Sequence, residues 1–210
     1  MTLVIHAFPR SPRAFKVLLT ANYLELPYAL KVVNLQAGEQ RTPEFTALNI
    51  NQRMPVLEED GYRLWESNAI IEYLAAKKPD SGLIPQEVKA RLQVTKWLYW
   101  ESAHWDQAMA IFMFERVVKK IFGRGEESAS EIARGTELFH RLAKVLDGEL
   151  TRHRYVAGDA LTAADLAISP PLSYSDAAGF PLEDYRAIQR WAEDMKALPA
   201  WKKTVALQQA

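Results

Sequence analysis

No cysteine occurs among the 210 residues, which removes structural disulfides, thiolate metal sites and any thiol nucleophile of the protein's own. Net charge is absent as well. Twenty-six lysine and arginine residues balance 26 aspartates and glutamates, so no overall field draws the chain to nucleic acid or a membrane surface. No apolar run approaches the roughly 20 residues of a spanning helix. The opening M-T-L-V-I-H-A-F lacks a basic region ahead of an apolar stretch, which argues against a signal peptide and for a strand that starts at once. A cytoplasmic protein is expected. Histidine is scarce too: His6, His104, His140 and His153 show no i, i+3 or i, i+4 pairing, so no metal is expected.

What is present is enough apolar chain, about half the residues, to build a sizeable core in one or two domains. Leu3 to Phe8 reads as a strand, and Pro12 to Leu24 carries a helical stripe of Phe15, Val17, Leu18, Leu19 and Tyr23. Tyr28 to Val33 is a second strand and Thr42 to Leu48 a short helix. Two strands around Asp60-Gly61 follow, then a helix from Ser67 to about Ala76. The order β-α-β-(α)-β-β-α implies one parallel pair joined by a crossover and an antiparallel hairpin, a small mixed sheet with helices on its faces. The turn-rich stretch K-K-P-D-S-G-L-I-P-Q, from Lys77 to Gln86, ends this pattern. Beyond it only helices are indicated, at roughly 87–121, 127–150, 162–176, 183–196 and 198–208. The fold class is therefore α/β over residues 1–78 followed by an all-α domain over 88–210.

Two helix starts stand out. Leu161-Thr162-Ala163-Ala164-Asp165-Leu166 combines a capping threonine, an aspartate that reaches back from three residues on, and a staple of Leu161 on Leu166. It reads as folding machinery, and Pro170-Pro171 beyond it predicts a kink or break. Ser11-Pro12 is an N-cap followed by proline at the first helical position. It also lies past the carboxyl end of a strand, where ligands of α/β sheets bind.

Ser11 has no histidine or lysine base in its motif and is a poor nucleophile. It is a good donor to an anion, aided by the helix dipole. A ligand thiolate is one such anion. A free thiol near pKa 8.5 is about 3% ionised at pH 7. Lowering that value by about two units takes about 2.7 kcal/mol, which a hydroxyl plus a helix N-terminus can supply.

The stretch R-M-P-V-L-E-E-D-G-Y-R-L-W-E-S-N-A-I-I-E-Y-L, Arg53 to Leu74, suggests what the ligand is. Pro55 sits at a strand's first rung, where it costs no interior ladder bond. A cis Met54-Pro55 bond would turn the N–H and C=O of Met54 out of the sheet, free to pair with an extended peptide. Glu66-Ser67 opens a helix whose unpaired N–H groups favour an anion. Together these describe a site for a small acidic peptide.

S-P-R-A-F-K-V at 11–17, M-P-V-L at 54–57, E-S-N-A-I at 66–70 and L-T-A-A-D-L at 161–166 occur in an order and spacing that resembles the cytosolic glutathione S-transferases over essentially the whole chain. The match is closest to the serine-type, theta- and phi-like classes, in a bacterial-style member. The resemblance implies a thioredoxin-like N-terminal domain that binds glutathione and a helical C-terminal domain that lines the electrophile site. It implies Ser11 as the catalytic hydroxyl facing the glutathione thiolate. Met54 would offer its backbone to the cysteinyl unit, beside a cis Pro55. Ser67 and its helix start would hold the γ-glutamyl carboxylate, Glu66 the ammonium, and Arg53 and Gln40 the glycyl carboxylate. Gln40 departs from the histidine common in theta and phi enzymes. Trp105, Met109 and Phe112, on a long helix whose Trp97, Trp100, Ala108 and Phe112 fall on neighbouring turns, are candidates for the electrophile pocket.

Glutathione would then be a co-substrate, joined to a small hydrophobic electrophile by a homodimer that uses no metal, nucleic acid or membrane. Two alternatives stay open: glutathione-dependent reduction of peroxides or disulfides, and a non-catalytic interaction module of the same fold. Cysteine-type transferases are excluded by composition, and zeta-type isomerases carry S-S-C where this chain has R-S-P.

Overall fold

Leu3–Ala7 (β1) is buried at every position but Val4, as a strand covered on both faces must be. It pairs in parallel with Tyr28–Val32 (β2) and antiparallel with Val56–Glu59 (β3). β3 then turns back into Tyr62–Trp65 (β4). The four strands lie in the order β2-β1-β3-β4. The turn residues Asp60 and Gly61 have φ of 51° and 82°, the positive values a two-residue hairpin with right-handed strand twist requires. Pro12–Tyr23 (α1), Pro43–Leu48 (α2) and Ser67–Ala76 (α3) complete the first pattern. The expected order of elements and the mixed sheet are both present. The computed structural model describes residues 3–208.

The second compact unit, Pro85–Lys196, is helical. Val88–Trp100 (α4), Asp106–Phe112 (α5) and Lys119–Phe122 (α6) run on as one continuous helix. They are joined by π-helical turns at Glu101–Trp105 and Met113–Val118. The sequence pattern predicts an unbroken helix over 87–121 and does not reveal these turns. A π turn widens the helix by a residue, and here it stacks Trp100 on Trp105, five positions on, with ring centroids 5.7 Å apart and planes at 20°. Ala129–Arg152 (α7) brings Phe139 against both Trp105 and Phe112. Ala163–Ile168 (α8) stops before Pro170, and a 3-10 turn over Pro170–Tyr174 leads to Ser175–Ala178 (α9). The expected helix over 162–176 is thus broken at the two prolines, because neither can donate to the preceding turn. Arg186–Ala197 (α10) starts on an acceptor from α7: Asp147 Oδ1 takes the N–H groups of Ala187 and Ile188 at 2.9 and 3.1 Å. No helix among the described residues is long and apolar enough to cross a membrane.

The last helix, Pro199–Ala206 (α11), differs from expectation in its partner. The helical domain is expected to run to residue 210, yet residues from Ala197 onward group with those up to Ile84. The reason is packing. Trp201 sets its ring edge-on to Phe15 of α1, centroids 4.9 Å apart, and Asn22 Nδ2 donates to Thr204 Oγ1 at 2.9 Å. Every residue of α1 from Ala14 to Asn22 is consequently buried.

Asp165 anchors the helical unit. It is fully buried, and its carboxylate accepts from Val156 N–H, Thr162 N–H and Trp191 Nε1 at 2.9 Å and from the Thr162 hydroxyl at 3.1 Å. The loop before α8 and Trp191, 26 residues on, therefore converge on one side chain. Burial pushes its pKa up, against the pull of these four donors. Asp165→Asn keeps the shape but turns an NH2 toward groups that are themselves donors. It should lower unfolding stability by about 3 kcal/mol, the scale of breaking a buried charged network. Chemical denaturation would measure this, and an unchanged midpoint would show the network to be dispensable.

Candidate functional site

The strand register gathers the predicted residues of the first unit on one rim of the sheet. His6 of β1 stands opposite Val56 of β3, which stands opposite Trp65 of β4, while Ala7 is aligned with Val32 of β2. The end of β1, the start of β3, the end of β4 and the end of β2 therefore share that rim. Ser11 follows β1, Met54 precedes β3, Glu66 and Ser67 follow β4, and Gln40 lies in the segment after β2. One edge of a four-stranded sheet thus presents all six predicted residues, Arg53 included.

Two of these positions are helix starts left uncapped by protein side chains. Three other helices have side-chain caps of their own, Thr42 for α2, Glu87 for α4 and Ser128 for α7. Ser11 has the extended backbone of an N-cap, φ −79° and ψ 129°, but its hydroxyl makes no cap bond. The expected N-cap is right in position, and the side chain is not consumed by it. Its backbone is fixed at both ends, N–H to Phe8 O and C=O from Phe15 N–H, each at 2.8 Å.

At α3 the helix begins at Ser67, as the sequence suggests, and Glu66 is its N-cap. β4 ends at Trp65, so a single residue must reverse the chain, and Glu66 does so at φ 71°, ψ 110°. That region is sparsely populated for a residue with a Cβ and costs about 1–3 kcal/mol. Ser67 becomes the first helical residue, 8% exposed. Ile70 N–H makes the first intrahelical bond, to Glu66 O at 3.0 Å. The N–H groups of Ser67 and Ala69 and the Ser67 hydroxyl have no acceptor or donor partner among the described residues. Glu66 itself is exposed.

The Met54–Pro55 bond is cis. The Met54 side chain packs with Leu48 against the buried cluster of Val33, Phe45 and Val56. Its N–H and C=O have no partner among the described residues. The loop before it is built by a residue the sequence reading passed over. Asn49, 3% exposed, donates to Arg53 O at 2.7 Å and accepts from Asn51 N–H at 3.0 Å. Arg53 is exposed, and among the described residues only its carbonyl is held. Gln40 sits in a 3-10 turn, Glu39–Arg41, and its Oε1 is buried with no partner among the described residues.

Lys16 and Asn68 were also passed over. Lys16 is 3% exposed within the wholly buried run of α1, and Nζ donates to Asn68 Oδ1 on α3 at 2.9 Å. A lone charged residue between Phe15 and Val17 was the available signal.

Trp105, Met109 and Phe112 belong to the other unit and are interior residues there, exposed by 0, 1 and 1%. Trp105 Nε1 donates to Ile168 O at 3.2 Å. Among the described residues, no group of three or more histidine, aspartate or glutamate side chains could hold a metal.

The strain at Glu66 can be tested directly. Glu66→Gly removes the Cβ that makes φ 71° unfavourable and should raise stability by about 1 kcal/mol, whereas Glu66→Ala, which keeps the Cβ, should not. Equal melting temperatures for both variants would show the backbone there to be relaxed.

Comparison with known proteins gives a consistent result. A model of the glutathione S-transferase N-terminal domain matches residues 1–76, and one of the C-terminal domain matches residues 104–199. A glutathione S-transferase of Hyoscyamus muticus is 30% identical over 213 aligned positions that take in the whole of both chains. The crystal structure of a glutathione transferase from Populus trichocarpa superposes with a TM-score of 0.90 at 28% identity, covering 99% of each chain. That of a Pseudomonas fluorescens glutathione S-transferase gives 0.85 at 31% identity, covering 95% of this chain and 97% of the other.

Proposed function

Since this chain belongs to the glutathione S-transferase family and is a glutathione transferase, we propose that it joins the glutathione thiolate to small hydrophobic electrophiles, with Ser11 as its catalytic hydroxyl. The observation that carries this reading is the pair of helix starts, α1 and α3, whose serine hydroxyls stand on one sheet rim and cap nothing.

In the proposed mechanism Ser11 Oγ–H donates to the cysteinyl sulfur, and the start of α1 adds its dipole. Both favour S⁻ over SH. The proton leaves to solvent. The thiolate sulfur then attacks the electrophilic carbon, the new C–S bond takes the sulfur's electron pair, and the leaving group departs with the pair of the bond it breaks. Acceleration comes from the raised thiolate fraction and from holding the two reactants together. This chemistry needs no metal and no cysteine in the protein.

The other residues hold the tripeptide in this reading. The free N–H and C=O of Met54 pair with the cysteinyl unit as a strand edge would. The γ-glutamyl carboxylate sits on Ser67 and the first turn of α3, and exposed Glu66 accepts from the ammonium. Arg53 and Gln40 receive the glycyl carboxylate, Gln40 by donating its side-chain NH2. Trp105, Met109 and Phe112 serve the electrophile side from the interior of the helical unit, by fixing the shape of the helix that carries them. The same reading takes the protein as a cytoplasmic homodimer.

Ser11→Ala should lower the conjugation rate by roughly ten- to a thousand-fold, about 1.4–4 kcal/mol, with glutathione affinity held within a few-fold. Unchanged turnover in a screen of several electrophiles would reduce Ser11 to a helix start. Ser67→Ala should act on binding instead, weakening glutathione by about 1–2 kcal/mol. Calorimetric titration checks it, and an unaltered dissociation constant would remove Ser67 from the site.

A further inference from the structure

Ser11 belongs to neither β1 nor the body of α1. It closes the turn between them, Phe8-Pro9-Arg10-Ser11, with its N–H on Phe8 O at 2.8 Å. Proline in the second position of a turn suits type I and type II alike, but type II needs a positive φ at the third position. The φ of Arg10 is not positive, so the turn is not of type II. The two types differ by a rotation of the central peptide, which here carries Pro9 C=O and Arg10 N–H. Ser11 is the next residue along.

That turn is gripped from far along the sequence. Gln208 Nε2 donates to Pro9 O at 3.2 Å, and Arg10 Nε donates to Gln208 O at 3.1 Å. Both middle residues of the turn therefore meet one residue, 199 positions from Pro9. Gln208 is itself anchored. It follows α11 closely, its N–H on Val205 O at 3.0 Å and the N–H of Leu207 on Thr204 O at 3.2 Å. α11 is in turn fixed to α1 by Trp201 on Phe15 and by Asn22 on Thr204. The turn before Ser11 and the helix after it thus rest on one support.

We infer that Gln208 is a positioning residue for Ser11: by holding Pro9 O and Arg10 in one orientation it aims the Ser11 hydroxyl at the glutathione sulfur. The inference rests on the reading of Ser11 given above. With no cap bond to hold the side chain, the direction of Ser11 Oγ follows from its backbone, and a hydrogen bond weakens steeply as its angle closes. Gln208 touches no ligand in this scheme. What it supplies is the angle of one donor.

Gln208→Met keeps the length of the side chain and removes its donor. It should lower kcat about three- to ten-fold, the scale of one weakened hydrogen bond. KM for glutathione should stay within about two-fold, because Met54, Glu66 and Ser67 are untouched. The ionisation midpoint of the bound thiol, followed by the ultraviolet absorbance of the thiolate, should rise by about half a unit to one unit, the same factor on a pH scale. The decisive comparison repeats the substitution in Ser11→Ala. A residue that acts through the serine hydroxyl has nothing left to aim there, so Ser11→Ala/Gln208→Met should match Ser11→Ala in kcat and in thiol midpoint. A residue that only braces the fold would cost the same factor in both backgrounds.

The measurement is the steady-state kinetics and the thiol titration of the wild type, the two single variants and the double variant, with one electrophile that the wild type accepts. Each thermal midpoint is recorded to confirm folding, and Gln208→Ala takes the place of Gln208→Met should the latter fold poorly. A loss in the single variant that vanishes in the Ser11→Ala background supports the inference. Unchanged kcat and thiol midpoint in Gln208→Met, a loss confined to KM, or an equal loss in both backgrounds overturns it and leaves Ser11 in place. If Ser11→Ala conjugates at the wild-type rate, the reading of Ser11 fails and this inference with it, so that variant tells the two failures apart.

Discussion

The first turn of an α-helix points N–H groups along its axis that no residue of the helix can satisfy, and each must find an acceptor or remain in contact with water. Much of this structure is a set of answers to that demand. Thr42, Glu87 and Ser128 answer it locally. Asp147 answers it for a helix 40 residues away. Asp165 answers it for α8 and, with the same two oxygens, secures Val156 and Trp191. At α1 and α3 the N-cap side chains, Ser11 and Glu66, leave it unanswered, and Ser67 stands in the first turn of α3. A serine hydroxyl that makes no cap bond is available to something else, and the adjoining helix dipole favours a partner that carries negative charge.

The sheet explains why these two helix starts can serve one ligand. Parallel pairing of β1 with β2 and antiparallel pairing of β3 with both β1 and β4 bring strand ends of opposite direction to one rim. Residues 11, 54 and 67 are remote in sequence, yet each sits within a few positions of the His6–Val56–Trp65 row. Glu66 bears the geometric cost of the arrangement, since β4 and α3 are separated by it alone.

Much of this was legible beforehand because it rests on local chemistry. Asp60-Gly61 had the signature of a tight turn, Pro170-Pro171 had to kink or break a helix, and Thr162 with Asp165 had the spacing of a reciprocal cap. What escaped depends on contacts between distant segments. The π turns leave no periodicity signal, because a residue gained in one turn shifts the apolar stripe only slightly. The allegiance of α11 to the first unit depends on Trp201 meeting Phe15, a contact that hydrophobicity alone cannot direct. The positive φ of Glu66 depends on where β4 stops, since a single residue joins that strand to α3. Lys16 and Asn68 stood within the quoted motifs, but their bond spans 52 positions.

The placement of α11 has a consequence in time. A chain is made from its N-terminus, and domains fold as units while synthesis continues, at about 5–20 residues per second. The first unit here is not contiguous: its sheet and α1–α3 are complete by Ile84, but the helix that covers α1 begins beyond Ala197. The helix that begins at Ser11 therefore spends the whole synthesis of the intervening segment, on the order of ten seconds, with the surface around Phe15 lacking its final neighbour. The nascent sheet can pair early, but its most buried helix is sealed last, after the helical unit has been made.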